Sequence, residues 1–425
     1  MLVRPVVRFR DRIAPALGHR QYARLWQANA GSQIAFWMQQ VAQGWLVLEL
    51  TESVFVLGLL AFFRSIPMLV LSPIGGVFAD RFDRRRIVIG AHILIGSTML
   101  AIAILVLIER VHIVHLVVSS LVVGTSFAIN VPARMALMAG LVPRKHLGNA
   151  VALQSTTLNT ARIVGPAIAG LVIGVIGIAG SYFIQVGGYV WSTLNMLRIT
   201  SPPRPERPRA STMTALREGF GYVVRTKVIL AMMLLALGPS LFGMPVTYLM
   251  PAFVRQTLGE GPEALGFILG SLGVGALLGS ALVVSFSDFP HKGRVLLAAI
   301  LIHGILVINL SFARSIEVAA ICIGLVGFFQ SIYMATNQMA IQLLVPDALR
   351  GRVMSVRMMT FGLSPLGLLP MSFIAERQGV PLSMVFGGVA SFLVGVGVLL
   401  WARELWSLRP DDAEVEGFAS DKSLS

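Results

Sequence analysis

The sequence predicts an all-α polytopic membrane protein with twelve transmembrane helices in two pseudo-symmetric six-helix bundles. Three observations carry that prediction. First, 56% of the 425 residues are hydrophobic and only 13% are charged, about half the charged fraction of a soluble globular protein. Second, the apolar residues form long unbroken runs, such as Ala264–Val284, matching the ~20 residues that a helix needs to cross a bilayer. Barrel strands would instead alternate with period two. Third, a polar stretch at 198–225 interrupts the middle of the chain and leaves six such runs on either side.

Taken in order, the expected spans are 25–48, 54–78, 86–108, 112–132, 150–177 and 179–197, then 229–252, 264–286, 294–312, 317–341, 352–374 and 380–402. The expected organisation is a cytoplasmic N-terminal segment at 1–24, a first bundle at 25–198, a linker at 199–228, a second bundle at 229–402 and an acidic cytoplasmic tail at 403–425. The first span follows a basic segment and is too long for a cleavable signal peptide, so it is expected to be retained. Cys322 is the single cysteine, which excludes an intrachain disulfide.

The net charge of +14 sorts by side. The side shared by both termini holds 28 Lys and Arg against 13 Asp and Glu, whereas the opposite side holds 4 against 7. By the positive-inside rule both termini are cytoplasmic, which suits a bacterial inner membrane. The bases lie scattered over short loops without an aromatic-rich basic fold, so nucleic-acid binding is not expected.

Within the linker, four prolines in Pro202-Pro203-Arg204-Pro205-Glu206-Arg207-Pro208 favour an extended connector. After it, Met213, Leu216, Phe220 and Val223 recur at helical spacing and suggest a short amphipathic helix on the lipid surface; an ordinary solvated loop is the alternative. The halves also echo each other. Leu141-Val142-Pro143 with Gly148 returns as Leu344-Val345-Pro346 with Gly351, and Asp80…Arg86 returns more weakly as Asp288…Arg294. Each pair occupies the same loop of its half, as expected of a duplicated transporter.

The second span ends in Gly75-Gly76-Val77-Phe78-Ala79-Asp80-Arg81-Phe82-Asp83-Arg84-Arg85-Arg86. This resembles the signature loop of the major facilitator superfamily, with Phe78 in place of leucine and Asp83 in place of the second glycine. The resemblance implies a conformational latch built from Gly76, Asp80, Arg81, Arg84 and Arg85. Trp37-Met38-Gln39-Gln40, Arg64-Ser65-Ile66-Pro67, Asn130-Val131-Pro132-Ala133-Arg134 and Asn159-Thr160-Ala161-Arg162 extend it to nearly the whole chain. Together they are similar to the branch containing the enterobactin exporter and the macrolide and multidrug efflux permeases. Gly165, Pro166 and Gly170 resemble part of the antiporter motif of the fifth helix, with Ala169 in place of a glycine. Pro166 is expected to place a bend there. The proton-coupled pattern of an arginine within the fourth helix and an acid in the first is missing, because Arg134 stands at the cytoplasmic end and no span carries a mid-membrane acid. Proton exchange is therefore implied by the resemblance alone.

Helical geometry shows which polar residues share a face. At about 100° per residue, Asn29, Gln33, Gln40 and Gln43 fall within about 80° on the first span, and Asn159 and Arg162 lie together on the fifth. Ser126 and Asn130 on the fourth span and Gln330 and Asn337 on the tenth form further stripes. With Arg64 these are the candidate cavity residues. Arg64 is mid-span, and an arginine at the bilayer centre costs ~2.5–3.5 kcal/mol on insertion scales. It should therefore have partners such as backbone carbonyls, Gln33 or Gln40. A substrate or gating contact and a helix–helix tie account for it equally well. For Arg134, Arg162 and Arg357, nearer the cytoplasm, a structural or gating role is favoured over substrate contact.

No nucleophile elbow, phosphate loop or metal-ligand spacing is present, so neither enzyme chemistry nor a metal or other cofactor is expected. The resemblance implies a secondary exporter of amphipathic small molecules, functional as a monomer in the lipid bilayer. The alternatives are uptake of an anionic nutrient and a non-transporting receptor or scaffold.

Overall fold

The computed structural model describes residues 14–201, 212–285 and 291–407; within these ranges the side chains of 72–80, 212–216, 284, 347, 348, 355, 358, 361 and 407 are not described. The proline run of the linker, the basic stretch at 1–13, Asp288 and the acidic tail beyond 407 lie outside the described residues. So do the side chains of Gly76, Asp80, Met213 and Leu216, although their backbone is helical.

Every regular element among the described residues is helical: α1 (Arg20–Thr51), α2 (Val54–Arg81), α3 (Arg84–Leu107), α4 (Ile113–Leu141), α5 (Arg144–Leu197), α6 (Thr212–Arg225), α7 (Lys227–Gly238), α8 (Met244–Ala252), α9 (Pro262–Ser285), α10 (Lys292–Ser311), α11 (Ile316–Leu344), α12 (Asp347–Gly362), α13 (Ser364–Gln378), α14 (Val380–Trp401) and the short α15 (Glu404–Ser407). A 3₁₀ turn at Pro15–Gly18 precedes them, and π-helical turns at Pro239–Gly243 and Phe253–Leu258 bracket α8.

The described residues of all twelve expected spans are mainly helical, but nine helices among the described residues are long and apolar enough to cross a membrane. The difference has three physical sources. α5 runs for 54 residues and merges spans five and six, with a single break at Gly177, whose φ of 77° places it in the left-handed region that glycine enters without a Cβ penalty. α1 is 32 residues long but is diluted by Asn29, Gln33, Gln39, Gln40 and Gln43. Span eleven is divided between α12 and α13 at Gly362-Leu363-Ser364-Pro365, where a proline opens the second helix, its missing N–H costing nothing in a first turn.

The residues group into two compact units, Met1–Pro208 with Tyr248–Gly270 and Arg209–Thr247 with Ser271–Ser425. In the first, α1 lies along α5, α2 along α4, and α3 against α4 and α5. Gly124 of α4 is pressed so tightly onto the Arg64 backbone of α2 that a Cβ would run into the Arg64 carbonyl oxygen. In the second, α10 packs on α11 and α14, α13 on α14, and α6 on α12. The α6 contact is made through Gly219 against the Arg352 backbone and an exposed Glu218–Arg352 ion pair. Val223 of α6 is buried in this unit's apolar core while Phe220 is exposed.

Burial is inverted relative to a soluble protein. Val114, Leu171, Val175 and Ile321 are exposed, whereas Gln39, Ser120, Gln185 and Asn337 are wholly buried. That distribution puts apolar side chains toward lipid and polar ones toward helix interfaces, where the alternative to a partner is hydrocarbon.

Candidate functional site

In the first unit, α1 and α4 supply most of the polar interior. Asn29, Gln33 and Gln43 of α1 and Ser126, Asn130 and Arg134 of α4 are buried, and Gln40 and Asn159 are half-buried. A relay of side chains links the two helices: Gln39 Nε2 donates to Gln43 Oε1 at 3.3 Å, and Gln43 Nε2 donates to Ser120 Oγ at 2.8 Å. Gln39 falls about 40° outside the stripe read from the sequence yet is part of the relay. The side-chain amide oxygens of Asn29, Gln39 and Asn130 and the Ser126 hydroxyl have no hydrogen-bond partner among the described residues. A buried polar group without a partner costs ~1–3 kcal/mol, so these atoms suit water or a polar ligand.

Arg64 does not meet Gln33 or Gln40. Its Nη2 donates to the Tyr248 hydroxyl at 3.2 Å, and its guanidinium lies 5.3 Å from the Phe36 ring centroid and 5.8 Å from that of Tyr248. Aromatic faces carry negative quadrupole density and attract the cation without hydrating it, which explains why an arginine at this depth needs neither a carboxylate nor an amide. Arg162 of α5 lies over Trp37 of α1 at 5.5 Å in the same way. Nearby, a Cβ on Gly165 would stand 2.6 Å from that of Trp37, and one on Gly170 would stand 2.5 Å from the Pro262 carbonyl oxygen and 2.9 Å from Gly266 Cα. Gly165, Pro166 and Gly170 thus form the face on which α5 meets α1 and the start of α9. Pro166 sits inside the helical run, and the departure from helical geometry falls at Gly177.

A second tie was not singled out in the sequence. His92 of α3 has Nδ1 3.0 Å from Ser192 Oγ of α5, and that hydroxyl donates to the Ala28 carbonyl of α1 at 2.6 Å. The hydroxyl's one proton goes to Ala28, so His92 Nδ1 is the donor and the ring is neutral or charged according to Nε2 alone.

At the end of α2, Arg81 is exposed, while Arg84 donates to the Ala136 carbonyl at 3.4 Å. Arg85 donates from Nε and Nη2 to the carbonyls of Met196 and Leu197 at 3.1 and 2.6 Å, capping the C-terminus of α5 where cations are favoured. Asp83 is the N-cap of α3: it accepts from the Arg85 and Arg86 amides at 2.9 and 3.4 Å and from the Ser201 hydroxyl at 2.7 Å. Partial burial alone would raise the Asp83 pKa, but the Ser201 hydroxyl, the two amides and the Arg86 charge outweigh it and hold the carboxyl below its usual 3.8. Asp83→Ala is expected to cost ~1 kcal/mol of stability. Because the folded pKa is depressed, that contribution is present above pH ~4 and is lost as pH falls through the folded value. The melting-temperature gap between wild type and variant should therefore shrink in acid; a gap that is the same at pH 3 and pH 7 would refute the charge component.

In the second unit, Asn337 of α11 donates to the Met232 carbonyl at 3.0 Å and accepts from Arg357 Nε of α12 at 3.1 Å. Arg357 also donates to Gln338 Oε1 at 3.5 Å and to the Met334 carbonyl at 3.3 Å. Beside it is a small hollow of about 10 Å³, room for about one water, lined by Ser240, Met244, Gln330, Tyr333, Met334 and Arg357 among others. Of these, Gln330 lies on a polar stripe read from the sequence, and Arg357 was expected to have a structural or gating role; Tyr333 was not named as a site, since a tyrosine in an apolar run more often serves packing. No group of three His, Cys, Asp or Glu that could hold a metal occurs among the described residues.

Comparison with known proteins fits this architecture. The chain is 25% identical to the staphyloferrin A transporter of Staphylococcus aureus over 366 residues, covering 84% of this chain and 90% of the relative. It is 26% identical to the multidrug efflux pump Tap of Mycolicibacterium fortuitum, covering 88% and 93%, and 23% identical to the enterobactin exporter EntS of Shigella boydii, covering 79% and 80%. Among solved structures, a bacterial homologue of the human lysosomal transporter Spinster superposes with a TM-score of 0.75 at 14% identity, covering 91% of this chain and 97% of that one. A D-xylose–proton symporter gives 0.71 at 14% identity over 92% and 99%. These structural likenesses establish the fold. The family model described as transmembrane secretion effector matches residues 12–415. The chain is thus a multi-pass membrane transporter of small molecules, not an enzyme, related to siderophore and drug exporters, and it belongs to the transmembrane secretion effector family of the major facilitator superfamily.

Proposed function

We propose that this chain is a secondary exporter of amphipathic small molecules, whether drugs, toxic compounds or siderophores, working by alternating access of its two bundles and driven by proton exchange. The observation that carries the reading is the family match over 12–415 together with relatives whose names specify efflux or siderophore export. The buried amide-rich faces of α1, α4 and α11 support it, since they offer hydrogen bonds to a cargo whose remaining surface is apolar. In this reading the protein works as a monomer in the bacterial cell membrane with both termini cytoplasmic, and Gly76, Asp80, Arg81, Arg84 and Arg85 form a latch between conformations.

Two measurements test it. Drug-susceptibility and metabolite-export profiles of deletion and overexpressing cells should change in opposite directions for the cargo. In proteoliposomes, cargo flux should rise when a pH step is imposed; flux indifferent to the step would remove proton exchange and leave the exporter reading standing. Uptake of an anionic nutrient is the second reading, favoured by Arg64 between Phe36 and Tyr248; accumulation of such a solute by energised cells would select it. Binding without translocation would select a receptor.

A further inference from the structure

One end of the second unit carries a small foot. α14 stops at Trp401, the chain turns at Ala402-Arg403, and α15 packs on α10 and α7. Ala402 and Leu405 are sunk in the unit's apolar core and pin the turn from inside. Trp401 and Trp406, 47% and 44% exposed, are left on the outside. A base stands over each of these indoles. Lys227, which opens α7, has Nζ 5.9 Å from the Trp401 ring centroid. Arg294, in the first turn of α10, has its guanidinium 5.6 Å from that of Trp406. Lys227 is paired with Glu404 at 2.9 Å. Arg294 and Arg403 are exposed and form no ion pair among the described residues. Along α14, Leu393 and Leu400 are also exposed. They lie seven residues apart, so they share one face of the helix, and Leu400 leads directly into Trp401.

We propose that this foot binds one anionic phospholipid, with its phosphate on Arg294 and Arg403, its glycerol region against Trp401 and Trp406, and an acyl chain along Leu393 and Leu400. Tryptophan prefers the boundary between hydrocarbon and headgroups, so the two indoles mark the level at which α14 leaves the bilayer. Bases at that level attract anionic headgroups. A free phosphate or an acidic peptide would use the bases and leave the indoles and leucines unserved, whereas a phosphodiester on a diacyl tail engages all of them. A zwitterionic headgroup would bring its own cation against Arg294 and gain less. The bound lipid would tie the starts of α7 and α10 to the end of α14. The inference is independent of the cargo and of the driving ion.

The test is quenching of tryptophan fluorescence in the full-length protein reconstituted into phosphatidylcholine vesicles. Part of the host lipid is replaced by phosphatidylglycerol or phosphatidylcholine brominated near the carbonyl end of the acyl chains. The signal of the foot is the part lost in Trp406→Phe. For that part, phosphatidylglycerol is expected to bind about fivefold tighter than phosphatidylcholine, the effect of one base near the surface. The preference should fall toward unity in Arg294→Gln and rise about twofold in Glu404→Gln, which releases Lys227. The second variant leaves Arg294 in place and so reads the site even if Arg294→Gln misfolds. Arg314→Gln removes the same charge about 30 Å away, past the other end of α10, and should leave the preference unchanged. Equal affinity for the two lipids in wild type, no signal lost in Trp406→Phe, an undiminished preference in folded Arg294→Gln, no gain in Glu404→Gln, or an equal loss in Arg314→Gln would each overturn the site. Loss of the preference on adding inorganic phosphate at constant ionic strength would overturn it in favour of a free anion.

Discussion

Arg64→Ala is expected to lower cargo flux in proteoliposomes by at least about tenfold, equivalent to ~1.4 kcal/mol, while the protein still folds and inserts. The guanidinium lies between the Phe36 and Tyr248 rings and donates to the Tyr248 hydroxyl. Such contacts are worth ~0.5–2 kcal/mol each, but the charge also carries an insertion penalty of ~2.5–3.5 kcal/mol. These two terms nearly offset, so removing it leaves folding stability close to neutral. What disappears is a positive centre at mid-span depth, beside a polar interior built mainly from amides and hydroxyls. Arg64→Lys should restore only part of the flux, because a compact ammonium lacks the planar fork that reaches both rings and the Tyr248 hydroxyl. Full flux in Arg64→Ala, or lost flux matched by a lost thermal transition, would each show that the arginine is not a transport residue.

Gly170→Leu is expected to have a larger effect still. A Cβ at this position would lie 2.5 Å from the Pro262 carbonyl and 2.9 Å from Gly266 Cα, and one on Gly266 would lie 2.7 Å from the Pro166 carbonyl. The obstacles are backbone atoms, so no rotamer change relieves them. α5 and the start of α9 must separate, at ~1–3 kcal/mol or more for overpacking of this kind. Flux should fall below detection. A cysteine pair introduced at Gly174 and Glu263, which touch in the structure, should crosslink in an otherwise wild-type background and fail to do so when combined with Gly170→Leu. Gly187→Leu is the control, since nothing lies within 4 Å of a Cβ there, and it should transport normally. Wild-type flux in Gly170→Leu would show that this crossing is not maintained in the working transporter.

Much of the fold was legible because bilayer-length apolar runs admit few structures. The positions of α2, α3, α4, α10, α11 and α14 follow from those runs directly. The joints were harder. Gly177 is one glycine among 42, and nothing local marks it as the residue that leaves the helix. The division of span eleven was readable in principle, since Gly362…Ser364-Pro365 is a stop followed by a start, but the apolar run around it suggested continuity. The candidate site divides in the same way. Polar stripes on α1 and α4 were visible as periodicity, whereas the Tyr248 partner of Arg64 lies 184 residues away, and no pattern in one sequence encodes that pairing. Asp83 is a different case. Set beside the family motif it is a departure from glycine, yet an Asp before a helical run is an ordinary N-cap signal, and that is the role its geometry supports.

The break at Gly177 has a practical consequence for anyone manipulating this transporter. Two membrane crossings are joined there by a single residue in a conformation that other side chains resist, so the connection is an elbow with no slack. Proteases and antibodies that need several residues of pliable chain will find little to grip at this end of the molecule. An epitope or fluorescent tag inserted there would splay the two crossings, whereas a label placed after α15 would leave them undisturbed.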